Sequence, residues 1–83
     1  MMLIHSLKDA REIVKVVIGR QGKVLKGFEE DNKIIVEVIN HKGKPLNLGS
    51  LGRVFHEIIV HPLPRYSNIP TGHVLVQLIF KKQ

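Results

Sequence analysis

Two stretches of this chain, Lys33–Ile39 and His73–Phe80, are apolar at nearly every position, and they constrain the fold more than any other feature. A strand with one wet face alternates apolar and polar residues, whereas a strand buried on both faces is a continuous apolar run. Past their first residues, only Glu37 and Gln77 are polar. We therefore expect two strands, with His73–Phe80 inside the sheet rather than at its edge. A chain of 83 residues has little material to cover both faces of such a sheet, so we also expect self-association.

Length and composition indicate one small basic domain, residues 1–83. Lys and Arg total 13 against 7 Asp and Glu, which gives a net charge of +6 with neutral histidine. The absence of cysteine excludes disulfides, thiolate metal sites and cysteine nucleophiles, and it fits a reducing compartment, the cytoplasm. Because no apolar run approaches the roughly 18 residues of a membrane span, we expect no membrane partner.

The first part of the chain predicts a short helix that turns into a strand. Ser6 is a suitable helix N-cap, and Leu7, Ala10 and Val14 share one face at helical spacing. From Ile13 to Ile18, however, all residues but Lys15 are β-branched, a composition that favours a strand. Gly19 and Gly22 then predict a tight turn with two positions free to take positive φ.

Three strands are predicted in addition to the two apolar runs. The first of them is the one that begins at Ile13. Lys23–Phe28 is predicted to be a returning strand, followed by a polar turn at Glu29–Asn32. Residues 50–61 carry both a helical i, i+3, i+4 pattern and the apolar run Ile58–Val60; a strand is favoured, and a helix stays open. One helix and five strands predict an α+β, mainly β fold in which a five-stranded, mostly antiparallel sheet closes into a small barrel or curls into a strongly twisted sheet; the barrel is the prediction adopted here.

The basic residues of the predicted loops and turns indicate a polyanionic partner. Cations presented by loops on a rigid scaffold neutralise phosphates and release condensed counterions. The predicted phosphate contacts lie in two basic loop regions. A third contact comes from a proline-flanked loop, which also holds the one aromatic residue expected to be exposed. These contacts are Arg20, Lys23, Lys26, Lys42 and Lys44, and then Arg65 and Tyr66.

Metal binding and catalysis receive little support from the sequence. The five histidines are scattered, and His56 and His61 have a spacing that places them on opposite faces of a strand. Serines fall in caps and loops, and the carboxylates of Glu29–Asp31 are consecutive in a polar turn. We therefore expect a protein without a metal site, cofactor or catalytic residues.

The segment Val17–Lys23 resembles the IGxxGxx signature of the KH family of RNA-binding domains. In that family the GxxG loop joins two helices and clamps the nucleic-acid backbone. The resemblance continues to the strand at Ile34–Val38 and implies a KH-like α+β fold as the alternative to the barrel.

A second resemblance covers more of the chain. The N-terminal helix, the five predicted strands and the Gly22–Gly27 stretch are similar to the Sm-like family of small RNA-binding barrels, which assemble as rings. That resemblance implies an SH3/Sm-like barrel and ring assembly, and it places Asp31 and Asn32 near the loop with which the family contacts RNA.

These patterns together predict a non-catalytic nucleic-acid-binding domain that contacts phosphates through basic loops, with RNA favoured over DNA, as a homo-oligomeric ring. The alternative is a structural or assembly protein, such as a ring, shell or phage-type component, whose strands pack between copies. A polyanion-binding subunit of a larger complex would share the same charge pattern.

Overall fold

A single helix and a four-stranded antiparallel sheet make up the protein in a computed structural model, which describes residues 4–41, 44, 46–61 and 72–82 and only the backbone of residues 50 and 51. The elements, in chain order, are α1 (Leu7–Ile18), β1 (Gly22–Glu30), β2 (Lys33–His41), a 3₁₀-helix (Gly49–Val54), β3 (Glu57–His61) and β4 (His73–Lys81). The sheet order is β1-β2-β4-β3. The two apolar runs of the sequence therefore form the central strands, which confirms the prediction that His73–Phe80 lies inside the sheet.

The predicted barrel is wrong, because the sheet is open and has one strand fewer than expected. Among the described strands, β1 and β3 each pair with one neighbour and form the two edges. The KH-like alternative is also wrong, since the residues that follow Gly22 form β1 rather than a second helix. The broader expectation of an α+β, mainly β chain agrees with the structure.

The missing fifth strand is the second half of α1. Ala10, Val14 and Ile18, spaced four residues apart, are buried against the sheet, whereas Val16 is 79% exposed. The low helix propensity of β-branched residues costs only a few tenths of a kcal/mol at each position, so burial of this apolar face decides the local structure. The Ser6 side chain accepts a hydrogen bond from the Asp9 amide at 3.2 Å, which confirms the predicted N-cap.

The core lies between α1 and one face of the sheet, called here the helix-side face. Along β2, Ile34, Val36 and Val38 point into this core. Phe55 and Phe80 are buried there with ring centroids 4.9 Å apart. Phe28 is half-buried and pairs with Ile35, so it lies on the other face, called here the second face.

Two local features account for the remaining differences between the predicted and the observed elements. Asp31 and Asn32 have φ values of 49° and 64°, as a two-residue hairpin turn with φ positive at both positions requires, so the turn is shorter than the predicted Glu29–Asn32. The ambiguous residues 50–61 contain both alternatives, a 3₁₀-helix to Val54 and the strand β3 from Glu57. Each of the two competing sequence signals was therefore correct for one half of the segment.

A β-bulge and a glycine let the helix lie close on β1. The register of β1 against β2 shifts between Val24 and Gly27, and the Arg11 guanidinium donates to the Leu25 carbonyl at 3.4 Å beside this irregularity. A Cβ at Gly27 would lie 2.5 Å from a methyl group of Leu7, so a larger residue would force the Leu7 side chain to move. Arg11 is thus occupied in joining α1 to β1.

Candidate functional site

A cleft of about 290 Å³ opens at one end of the sheet, where β1 begins, β2 ends and β4 begins. Antiparallel pairing brings these strand ends together, because Gly22 is opposite Asn40 and His41 is opposite His73. The turn between α1 and β1 forms another wall. The lining residues are Arg20, Gln21, Gly22, Lys23, Ile39, His41 and His73.

The described lining of the cleft carries basic side chains and no carboxylate. Arg20 and Lys23 are both exposed, so their cationic groups are accessible to an anion. Lys44 is held beside the cleft, since its amide donates to the His41 carbonyl at 3.2 Å and its own carbonyl accepts from the Asn40 side chain at 2.6 Å. The fold thus gathers three predicted phosphate contacts at one end of the sheet.

Two histidines that sequence reasoning treated as isolated form a pair in this cleft. His41 and His73 are opposite each other in β2 and β4, with ring centroids 4.4 Å apart and planes inclined by 39°. Histidine rings stack on nucleobases. The sequence did contain a signal for this pair. One apolar run ends two residues before His41, and the other begins at His73. Antiparallel pairing of two such strands places the two histidines side by side.

Gln21 fixes the turn that carries Arg20. Its side-chain amide donates to the Asn47 carbonyl at 2.9 Å, and its side-chain oxygen accepts from the Asn47 amide at 2.6 Å. The Asn47 side chain in turn accepts from the Gly49 amide at 3.1 Å, at the start of the 3₁₀-helix. These bonds connect the turn to a distant segment and so limit the movement of the cleft wall.

The other predicted contacts are not gathered with these. Lys26 lies further along β1, with its ammonium group 5.9 Å from the centroid of the Phe28 ring. Asp31 and Asn32 are at the opposite end of β1, about 27 Å from Gly22 at the usual rise per residue. There the Asn32 carbonyl accepts from the Lys82 amide at 3.0 Å. Lys42, Arg65 and Tyr66 lie outside the described residues.

Acidic residues concentrate at that opposite end. Glu29 forms an ion pair of 2.8 Å with Lys82, and Glu30 and Asp31 are exposed next to it. Lys33 and Lys81 lie at the same end of the sheet and are paired in register. Charge is therefore distributed unevenly along the strands. The hairpin end carries both acidic and basic side chains, and the cleft end carries basic ones.

A row of polar side chains crosses the second face between β3, β4 and β2. The Gln77 amide group donates to Glu37 at 3.0 Å, and the Gln77 oxygen lies 3.1 Å from Nε2 of His61. Because that oxygen can only accept, Nε2 of His61 is the donor, and Nδ1 is the ring nitrogen left for another partner. Glu37 is only 6% exposed, so this row satisfies a buried carboxylate.

The described residues contain no group of three histidine, aspartate or glutamate side chains that could hold a metal ion. None of the helices within the described ranges is long and apolar enough to cross a membrane. Comparison of the chain with protein-family models, with curated proteins and with solved structures found no match.

Proposed function

We propose that the protein binds single-stranded RNA, with one backbone phosphate held in the cleft between Arg20 and Lys23. The observation that carries this proposal is the convergence of these two side chains on a cleft whose described lining includes no carboxylate. Phosphate contacts of this kind fix the position of a nucleic acid and supply most of the sequence-independent affinity. Because its backbone is hydrogen-bonded to His41 and Asn40, Lys44 lies beside the cleft and can contact a neighbouring phosphate.

The two imidazole rings favour a nucleic acid over a simple anion. A flexible single strand can place a base on an exposed ring next to the phosphate, and each such stacking contact contributes roughly 1–3 kcal/mol. His41 is exposed and lies in the same cleft as the two cations. A rigid duplex cannot present an unstacked base to this ring, which is why a single strand is proposed.

Salt dependence of binding tests the electrostatic part of the proposal. For a single strand, the logarithm of the association constant falls with the logarithm of salt concentration with a slope of about −0.7 per phosphate neutralised. The phosphate held by Arg20 and Lys23 and the neighbouring one at Lys44 predict a slope of about −1.4, measured by fluorescence anisotropy with a labelled single-stranded RNA between roughly 30 and 300 mM salt.

The same titration with DNA of equal sequence and with duplex RNA serves as the comparison. We expect the single-stranded RNA to bind tightest. Absence of binding at low salt, or binding that does not respond to salt, would contradict the proposal and favour an assembly role instead. Equal affinity for RNA and DNA would retain the phosphate site and remove the preference for RNA.

A further inference from the structure

The two edges of the sheet are built differently. A free edge exposes unpaired backbone groups that can pair with another chain, and soluble proteins block such edges with charges or bulges. The β1 edge has both, since it carries Lys23, Lys26, Glu29 and Glu30 and is irregular between Val24 and Gly27. The β3 edge has neither a bulge in its five-residue register nor a charge at its three central positions, Ile58–Val60.

The apolar side chains of β3 on the helix-side face lack cover within the described chain. Ile58 and Val60 pair with Leu78 and Val76, which belong to the core, yet they are 42% and 55% exposed. The helix packs mainly on β1 and β2, so the β3 side of the same face is left open. A solvent-exposed apolar pair directly on an unblocked edge is the arrangement that a neighbouring strand would bury.

The sequence of β3 is complementary to itself when two copies run antiparallel. With a two-fold axis through Ile59, Glu57 of one copy is opposite His61 of the other, and Ile58 is opposite Val60. Cross-strand pairs of apolar β-branched side chains stabilise a sheet, and like charges directly opposite destabilise it. This register places Ile58 opposite Val60 twice and brings no like charges opposite each other.

We propose that β3 pairs with β3 of a second copy of this chain, in the register centred on Ile59, to form a two-fold symmetric dimer with one continuous eight-stranded sheet. Two-fold interfaces use the same patch on both subunits, as this register requires. The contact does not depend on the cationic cleft, so it is independent of the proposed RNA binding. A five-residue strand pair is small, so the dimer should be a reversible one of micromolar affinity.

Sedimentation velocity across a range of protein concentrations tests the dimer. We expect the unmodified protein to change from monomer to dimer over a micromolar range. The double variant Ile58→Lys/Val60→Lys, which puts lysines opposite each other, should stay monomeric with at least a tenfold weaker association. Val16→Lys is the matched control, because it replaces an exposed apolar residue on α1, away from β3. A protein that is monomeric at all concentrations, or a double variant that still dimerises, would overturn the proposal.

A cysteine placed on the two-fold axis tests the register itself. The chain has no cysteine, so Ile59→Cys introduces a single thiol that should face its own copy across the interface. Residues directly opposite in an antiparallel pair are close enough for a disulfide. Under mild oxidation we expect a covalent dimer in Ile59→Cys at least ten times faster than in Asp31→Cys, whose thiol lies on the exposed hairpin turn. Equal rates in the two variants would exclude this register. The cysteine test does not use the lysine variant, so it remains decisive if that variant fails to fold.

Discussion

Reversing the charge of both cleft cations, in the variant Arg20→Glu/Lys23→Glu, should nearly abolish RNA binding. Each reversal removes an attraction and adds a repulsion at the bound phosphate, and two unit charges 4 Å apart interact by about 1 kcal/mol in water. Because exposed side chains fall short of that ideal contact, we expect a loss of about 2–3 kcal/mol, which is on the order of 50-fold in affinity. Fluorescence anisotropy at constant low salt measures it directly.

The control is Lys8→Glu/Lys15→Glu, which changes the net charge by the same amount. Both lysines are exposed on α1 and neither lines the cleft. This variant should lose less than about fivefold, since its charges act on the RNA only over a distance and through salt. Equal losses in the two variants would show that total charge, rather than the cleft, governs binding. Both pairs of residues are exposed, so the fold should tolerate either change.

The two central strands could be predicted from the sequence, whereas closure of the sheet could not. The apolar runs at β2 and β4 indicate central strands because few other positions can bury side chains on both faces. The barrel depended on a strand at Ile13–Ile18, and composition was the misleading signal there. Continuing the spacing of Ala10 and Val14 by four more residues reaches Ile18, which is buried in the helix. The periodicity was therefore the better guide, since packing of one face outweighs propensity.

The candidate site shows the same division between local and long-range information. Arg20 and Lys23 were identifiable because they flank a turn, and their cationic character needs no fold to be recognised. His41 and His73 are far apart in the sequence, and only the register of β2 against β4 brings their rings together. Conversely, Asp31 and Asn32 follow Lys23 closely in sequence but lie at the other end of β1. Their positive φ values give them a role in the hairpin turn instead.

The proposed dimer would affect how RNA is presented to the cleft. An antiparallel β3 pair has its two-fold axis perpendicular to the sheet, so the two clefts would open on the same face, at opposite ends of the strands. A single strand long enough to reach both would then bind through two sites, and its apparent affinity would exceed that of either cleft alone. The lysine variant at Ile58 and Val60 should accordingly weaken the binding of long RNA relative to that of short RNA.

Replacing Gly22 with alanine should destabilise the whole domain and disturb the cleft together. Gly22 is the first residue of β1 and lines the cleft. A Cβ there would overlap the carbonyl oxygen of Ile39 and lie 3.2 Å from a methyl group of Val38. Backbone atoms of a central strand cannot move aside as a flexible side chain can, so the first residue pairs of β1 and β2 must move apart. The glycine is needed for this close approach and, unlike Gly19 with φ at +54°, not for a positive φ.

We expect Gly22→Ala to lower the free energy of unfolding by about 3 kcal/mol, the upper part of the range for overpacking. For a domain of this size that corresponds to a decrease in melting temperature of roughly 12–24 °C, measured by circular dichroism or calorimetry. Gly52→Ala is the matched control, because a Cβ in the 3₁₀-helix would be 3.7 Å from its nearest neighbour, an ordinary contact. It should change the unfolding free energy by less than about 0.5 kcal/mol. At a temperature where Gly22→Ala remains folded, its RNA affinity should still be reduced, because displacement of the β1 start moves Lys23 away from His41. A Gly22→Ala protein as stable as Gly52→Ala would mean that β1 and β2 do not approach this closely.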